Sequence, residues 1–449
     1  MLRRPILVVA VAAAGVALAL VPRLASASGP FPDPVDCVAP APNPAPGTAA
    51  WRQRDLLNQW CATQRQQDEL ANPAAGLTGL QHMATAYPSQ VLSQAGEPTR
   101  PRTGLAQWIP GATNGDPYRT PEQWTGAGRG RITDISFISS DGAKLVGHVF
   151  EPPASVPGPY PGVVITTGSI QGYQELYFWA AEGLAEAGYQ VMTYDVQGQG
   201  QSETLPHPCT PSSCPGVPFQ QDYNFYQGTR DALNWFFSGA NPRLADLDPN
   251  HVGIAGHSLG ASAVSQVGQE DPRVHAIVAW DNLAPVTGGV TPHAPALGIN
   301  AEYFLNPEPM QNPPDPQGKE AAFKQLKGDG VDTMQVALRS ATHLEFSYVP
   351  YILPASRLGE RVAFYYTLAW FDRYLRGSST ALTRLTATAF DGSSDAHSIG
   401  LGAWQPPLGN VPYKIAGMSV ADRLSIYYDS AYWLDGGAAQ CVAMRAGCP

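Results

Sequence analysis

Gly256-His257-Ser258-Leu259-Gly260 is a G-x-S-x-G pentapeptide, set between the apolar run HVGIAG and the small-residue run SLGASAVSQVGQ. That pattern is a strand, a tight turn and a helix. The chemistry it allows is nucleophilic. A serine on a strained strand-to-helix turn projects its hydroxyl into the open, flanking glycines leave room for the turn and the helix, and the helix N-terminus points its amides at the reaction centre. A Gly-Ser turn without chemistry is the alternative, and the strand and helix on either side favour the nucleophile. His257, inside the turn, is expected to be a structural neighbour aimed away from Ser258.

A serine hydroxyl needs a base to take its proton and a carboxylate to orient that base. After an elbow of this kind the order along the chain is serine, acid, histidine. Four histidines follow Ser258. His275 falls inside a strand, His293 precedes one on the wrong edge of the sheet, and His397 lies in the tail. His343 follows TMQVALRSAT directly, at the carboxyl end of the last strand, where ligands and catalytic groups of open α/β sheets gather. It is the expected base, with a structural loop histidine as the alternative. For the acid, Asp281 ends the strand RVHAIVAWD, while Glu302 and Asp315 follow the next strand. Both loops reach the same sheet edge, so periodicity does not choose between them. Each main candidate also has a non-catalytic reading: Asp281 as a loop cap, Glu302 as a buried hydrogen-bond partner. Attack on an ester creates an oxyanion that needs two backbone amides. Those expected are Leu259 and, from the loop after PGVVITTG, Ser169. This chemistry requires no cofactor and no metal.

These residues need a sheet to carry them. GRITDISFISSDGAKLVGHVFEP reads as two strands joined at Asp141-Gly142. PGVVITTG, YQVMTYDV, HVGIAG, RVHAIVAWD, APALGIN and TMQVALRS read as further strands, and helical patterns separate most of them. Such alternation predicts an α/β domain over residues 129–377, a mostly parallel sheet covered by helices on both faces. Residues 28–128 form an N-terminal extension: a Pro-Ala linker, a helix from Trp51 to about Leu70, then loop. Residues 378–449 form a C-terminal extension, expected to pack.

The first 27 residues pair Arg3 and Arg4 with an apolar run from Ile6 to Val21 and the small residues Ala25-Ser26-Ala27. This is the pattern of a signal peptide cut after Ala27, which predicts a secreted or envelope-associated protein. No later apolar run is long enough to span a bilayer. That leader holds three arginines and no acid, so its loss takes the net charge from −10 to −13. An acidic chain without a basic block argues against nucleic-acid binding. Six cysteines lie beyond the leader, an even number suited to disulfides. The close pairs Cys209/Cys214 and Cys441/Cys448 invite local bridges, which leaves Cys37 with Cys61.

Residues 129–377, through GHSLGA, AWDNLAP, INAEYF and VALRSATHLEFSYV, resemble the α/β-hydrolase superfamily. Within it they resemble secreted platelet-activating-factor acetylhydrolases and, more distantly, bacterial polyester hydrolases. The resemblance implies the α/β-hydrolase fold and a serine esterase acting on lipid or small acyl esters. It also implies an oxyanion donor just after Gly168. The acetylhydrolase pattern places the acid at Asp281; the commoner pattern places it near Phe304, with Glu302 two residues away. The stretch from Asp195 to Ser202, DVQGQGQS, resembles the D-x-R-G-x-G-x-S turn of many α/β-hydrolases, with Gln197 where arginine is usual. It lacks the spacing of a nucleotide loop. Tyr177, Phe178, Trp179, Trp280, Tyr303 and Phe304 gather near the expected site, as core or as the lining of an acyl pocket, and residues 203–221 are placed to cover its entrance. Two other functions fit the same residues: an acyltransferase using the same triad, and a binding protein that kept the fold without turnover.

Overall fold

The computed structural model describes residues 48–54, 56–58, 121–169, 173–203, 221–281, 283–303, 316–347, 357–390 and 419–448. The leader, the Pro-Ala linker, Cys37, Cys61, Cys209, Cys214, Phe304, Asp315, His397 and most of the expected entrance loop lie outside them.

Among the described residues, ten strands form one sheet in the order β1-β2-β4-β3-β5-β6-β7-β8-β9-β10. They are β1 (Arg131–Ile138), β2 (Lys144–Glu151), β3 (Tyr160–Thr166), β4 (Gln190–Tyr194), β5 (Leu247–His257), β6 (Val274–Trp280), β7 (Ala296–Tyr303), β8 (Thr333–Thr342), β9 (Ala431–Leu434) and β10 (Ala439–Cys441). The six strands from β4 to β8 in that order pair in parallel. The flanking strands pair antiparallel at both ends. The sheet is therefore mixed, with a parallel centre, rather than mostly parallel throughout. The antiparallel pairs lie at both ends, where β2 joins β1 to β4 and β9 joins β10 to β8. The C-terminal segment supplies β9 and β10, and β9 docks antiparallel on β8 with Met334 opposite Tyr432.

Burial patterns follow from these positions. β1, next to the edge-forming turn at Gly142, hides Ile135 and Phe137 while its alternate residues face outward, the period-two signature of a half-covered strand. β6 and β8 are buried along almost their whole length, as central strands covered on both faces must be. On one face Val163, Ile165, Ala255, Val278 and Trp280 pack with α1 (Phe178–Glu186) and a long helix, Arg357–Arg376. On the other, Val164, Ile254, Ile277 and Ala279 pack with α2 (Asp222–Phe236), α3 (Leu259–Glu270) and α4 (Pro316–Gly328).

Described parts of both extensions meet near the end of β7. Trp51, in the helical stretch near residues 49–58, is buried edge-on to Tyr427, 5.5 Å between ring centroids. Tyr427 meets Tyr303 at the end of β7, 6.1 Å away. Cys441 and Cys448 form the local disulfide that their spacing predicts.

Candidate active site

Ser258 sits between the end of β5 and the first residue of α3, with φ 57° and ψ −120°. A non-glycine residue there costs about 1–3 kcal/mol, so its surroundings must impose the conformation. They do so on three sides. The Ser258 amide donates to the Trp280 carbonyl (3.1 Å), and the Ser258 carbonyl accepts from the Ser262 amide (3.1 Å). A Cβ on Gly260 would fall 2.3 Å from the Thr167 carbonyl oxygen, and one on Gly256 2.5 Å from that of Gly260. Only glycine allows backbone to approach this closely on either side of the serine.

His343 starts the short 3-10 turn His343–Phe346 that follows β8. Its Nε2 lies 2.9 Å from Ser258 Oγ, and its Nδ1 is hydrogen-bonded to Asp281 Oδ2. Asp281 follows β6 with φ 48° and is anchored by its amide, which donates to the Ile299 carbonyl (2.7 Å). The other carboxylate oxygen accepts from the Ala301 amide (3.0 Å) and from Lys319 Nζ (2.7 Å). Burial opposes the charge on Asp281, but the Lys319 ammonium and the hydrogen bond to His343 outweigh it and hold the carboxyl well below the usual carboxylate range. Lys319, on α4, also donates to the Ala301 carbonyl (2.7 Å) and stands 5.7 Å from the Tyr428 ring. No motif in the sequence marks this lysine.

Glu302 does not join this line. Its side chain is buried, and its oxygens accept from the Ser340 amide (2.7 Å), the Ile426 amide (2.6 Å) and Asn58 Nδ2. Those partners come from β8, the C-terminal segment and the N-terminal stretch, so the carboxylate binds three parts of the chain together. Ser340, at φ 60°, donates its hydroxyl to the Asn58 carbonyl (2.9 Å).

Of the other histidines, His275 lies in β6 with its ring 6.5 Å from that of His251, and the His293 amide donates to Gln269 Oε1 (2.7 Å). His257 directs its two ring nitrogens to Tyr177 and to the backbone of His343. Leu259 opens α3, and Ser169 lies in the turn after β3, whose end pairs with Gly256. The Asp195–Ser202 turn is structural: the Asp195 carboxylate accepts from the Gln174 (2.9 Å) and Gln201 (2.8 Å) amides, and Ser202 ties the turn to Val146 of β2 (3.0 Å). Tyr177, Phe178, Trp179 and Trp280 are core side chains.

No protein-family model matches the chain. A stretch of 140 residues is 29% identical to 20-hydroxy-prefusarin hydrolase FUS2 of Gibberella moniliformis (strain M3125 / FGSC 7600). The match spans 31% of this chain and 30% of that protein.

Proposed function

We propose that the chain is an exported serine hydrolase of the α/β-hydrolase fold, cleaving carboxylic esters of lipid or small acyl groups through an acyl-enzyme on Ser258. One observation carries this reading. Asp281, His343 and Ser258 form a continuous hydrogen-bonded line at the carboxyl edge of the parallel strands, ending on a serine with φ 57°. Catalytic groups collect at that edge, and nucleophiles sit on such strained turns. The hydrolase name of the fungal relative agrees with bond cleavage by water. The leader pattern of residues 1–27 and the Cys441–Cys448 disulfide support export.

In this reading His343 Nε2 takes the proton of Ser258 Oγ as the oxygen attacks the ester carbonyl. The Leu259 and Ser169 amides receive the oxyanion. Asp281 keeps the His343 tautomer that leaves Nε2 free and stabilises the imidazolium that forms. The carbon–oxygen bond then breaks, and His343 returns the proton to the departing alcohol. Water gives a proton to His343 as its oxygen attacks the acyl carbon; the bond from that carbon to Ser258 Oγ then breaks, His343 returns the proton to Oγ, and the carboxylic acid leaves.

The test is covalent labelling of the mature protein with a fluorophosphonate, read by intact mass and peptide mapping, beside hydrolysis of p-nitrophenyl acetate, butyrate and octanoate. One adduct on Ser258 with turnover of at least one ester is expected. An unlabelled protein inert to every ester would overturn the reading. Ester product formed with an added alcohol would move it to acyl transfer.

A further inference from the structure

His257 and Tyr177 are not needed to complete the Asp281–His343–Ser258 line, yet they touch the parts on either side of it. His257 Nε2 lies 2.8 Å from the His343 carbonyl oxygen, and His257 Nδ1 lies 2.8 Å from Tyr177 Oη. Tyr177 Oη in turn accepts from the Gly168 amide at 3.0 Å. Chemistry fixes every proton in this chain. A carbonyl only accepts, so His257 Nε2 carries hydrogen. Burial, then the neighbouring His343, push the His257 imidazole down to about 3, so it is neutral and its Nδ1 is a bare acceptor. The Tyr177 hydroxyl therefore donates to Nδ1, and its lone pair is free to accept from Gly168.

Resting on the reading that Ser258 is a working nucleophile, we propose that Tyr177 and His257 are positioning residues that lock the backbone of His343 to the oxyanion loop. Three consequences follow from the geometry. His343 begins a 3-10 turn beyond the end of β8, and the His257 bond ties its backbone to the nucleophile turn. The Gly168 amide is committed to Tyr177, which leaves the next amide, that of Ser169, as the donor that the described residues of this loop offer to an oxyanion. The loop also seats directly on the relay, since a Cβ on Gly168 would lie 3.0 Å from both His257 Nδ1 and Tyr177 Oη. The Tyr177 ring is stacked parallel to Trp280, 6.2 Å between centroids and 5° between planes, and Trp280 precedes Asp281. One side-chain pair thus adjoins the base and the oxyanion loop, precedes the nucleophile in the chain at His257, and reaches the acid through Trp280.

The test uses Tyr177→Phe, which keeps the stacked ring and removes only the hydroxyl, with His257→Leu and His257→Gln. Rates are expressed per active site titrated with a fluorophosphonate, so loss of folded protein does not count as loss of catalysis. Tyr177→Phe is expected to lower kcat about 10- to 100-fold with KM changed less than about threefold, the effect of an oxyanion donor displaced but present. Phosphonylation of Ser258 should slow by a similar factor, because the phosphoryl oxygen occupies the same hole. His257→Gln, which can still donate to the His343 carbonyl and accept from Tyr177, should recover part of what His257→Leu loses. Variants that lose thermal stability yet keep wild-type kcat per titrated site would overturn the proposal and leave Tyr177 and His257 as packing. A wild type that takes no label would instead sink the serine-hydrolase reading. Imidazole 15N NMR then still decides the relay: His257 neutral and protonated on Nε2 from pH 4 to 8 is expected, and a His257 imidazolium or the Nδ1–H tautomer in that range contradicts it.

Discussion

Lys319 acts on the Asp281–His343–Ser258 line from a separate element, α4. It holds the oxygen of Asp281 that His343 does not use, so it fixes the carboxylate's rotation as well as its charge. Lys319→Met should lower kcat between about tenfold and a hundredfold through misalignment of the His343 ring. Its stability cost should stay below the roughly 3–5 kcal/mol of a fully buried pair, because the lysine keeps some contact with water. The pH dependence has a definite sign. A carboxyl depressed on folding contributes stability above its unfolded pKa and loses that contribution as pH falls below it. Thermal unfolding should therefore show the full wild-type advantage over Lys319→Met at pH 7, shrinking as pH drops through and below about 4. An advantage that is constant with pH would show that the lysine stem, not its charge, is what matters.

At the scale of elements, the two candidate carboxylates separate by what surrounds them. Asp281 and Glu302 end neighbouring strands and are buried alike, so strand pattern could not tell which one faces His343. The partners that distinguish them are distant in sequence: Lys319 for Asp281, and Asn58 and Ile426 for Glu302. Glu302→Gln places an amide NH2 against backbone donors. Each unsatisfied donor costs about 1–3 kcal/mol, so melting should drop by several degrees while kcat per titrated site is kept. Loss of kcat without loss of stability would return Glu302 to the catalytic line. The elbow could be read from sequence because its constraints are local: two glycines, a serine, a strand before and a helix after. His343 could be placed because it directly follows an apolar strand. Tyr177 could not be paired with His257, since its hydroxyl looks like any core tyrosine until the sheet brings the two together.

For the whole molecule, the C-terminal segment adds β9 and β10 to the sheet. β9 and β10 are four and three residues long, too short for alternation to reveal; β9 is a strand through docking on β8, and β10 through pairing with β9. Cys441–Cys448 closes a short loop just after β10. The chain-entropy account gives such a loop about 2 kcal/mol. Replacing both cysteines with serine should loosen the β9–β10 edge, seen as faster hydrogen exchange there, and leave the rate of Ser258 labelling unchanged. Slower labelling would mean that this edge is coupled to the site through β8.

The most direct measurement is hydrolysis of p-nitrophenyl butyrate by wild type and Ser258→Ala, purified identically and compared at equal folded concentration. Turnover by the wild type is expected, with a loss of about 10⁴-fold or more in the variant, as when the nucleophile of a working triad is removed. Equal rates for the two proteins would contradict it.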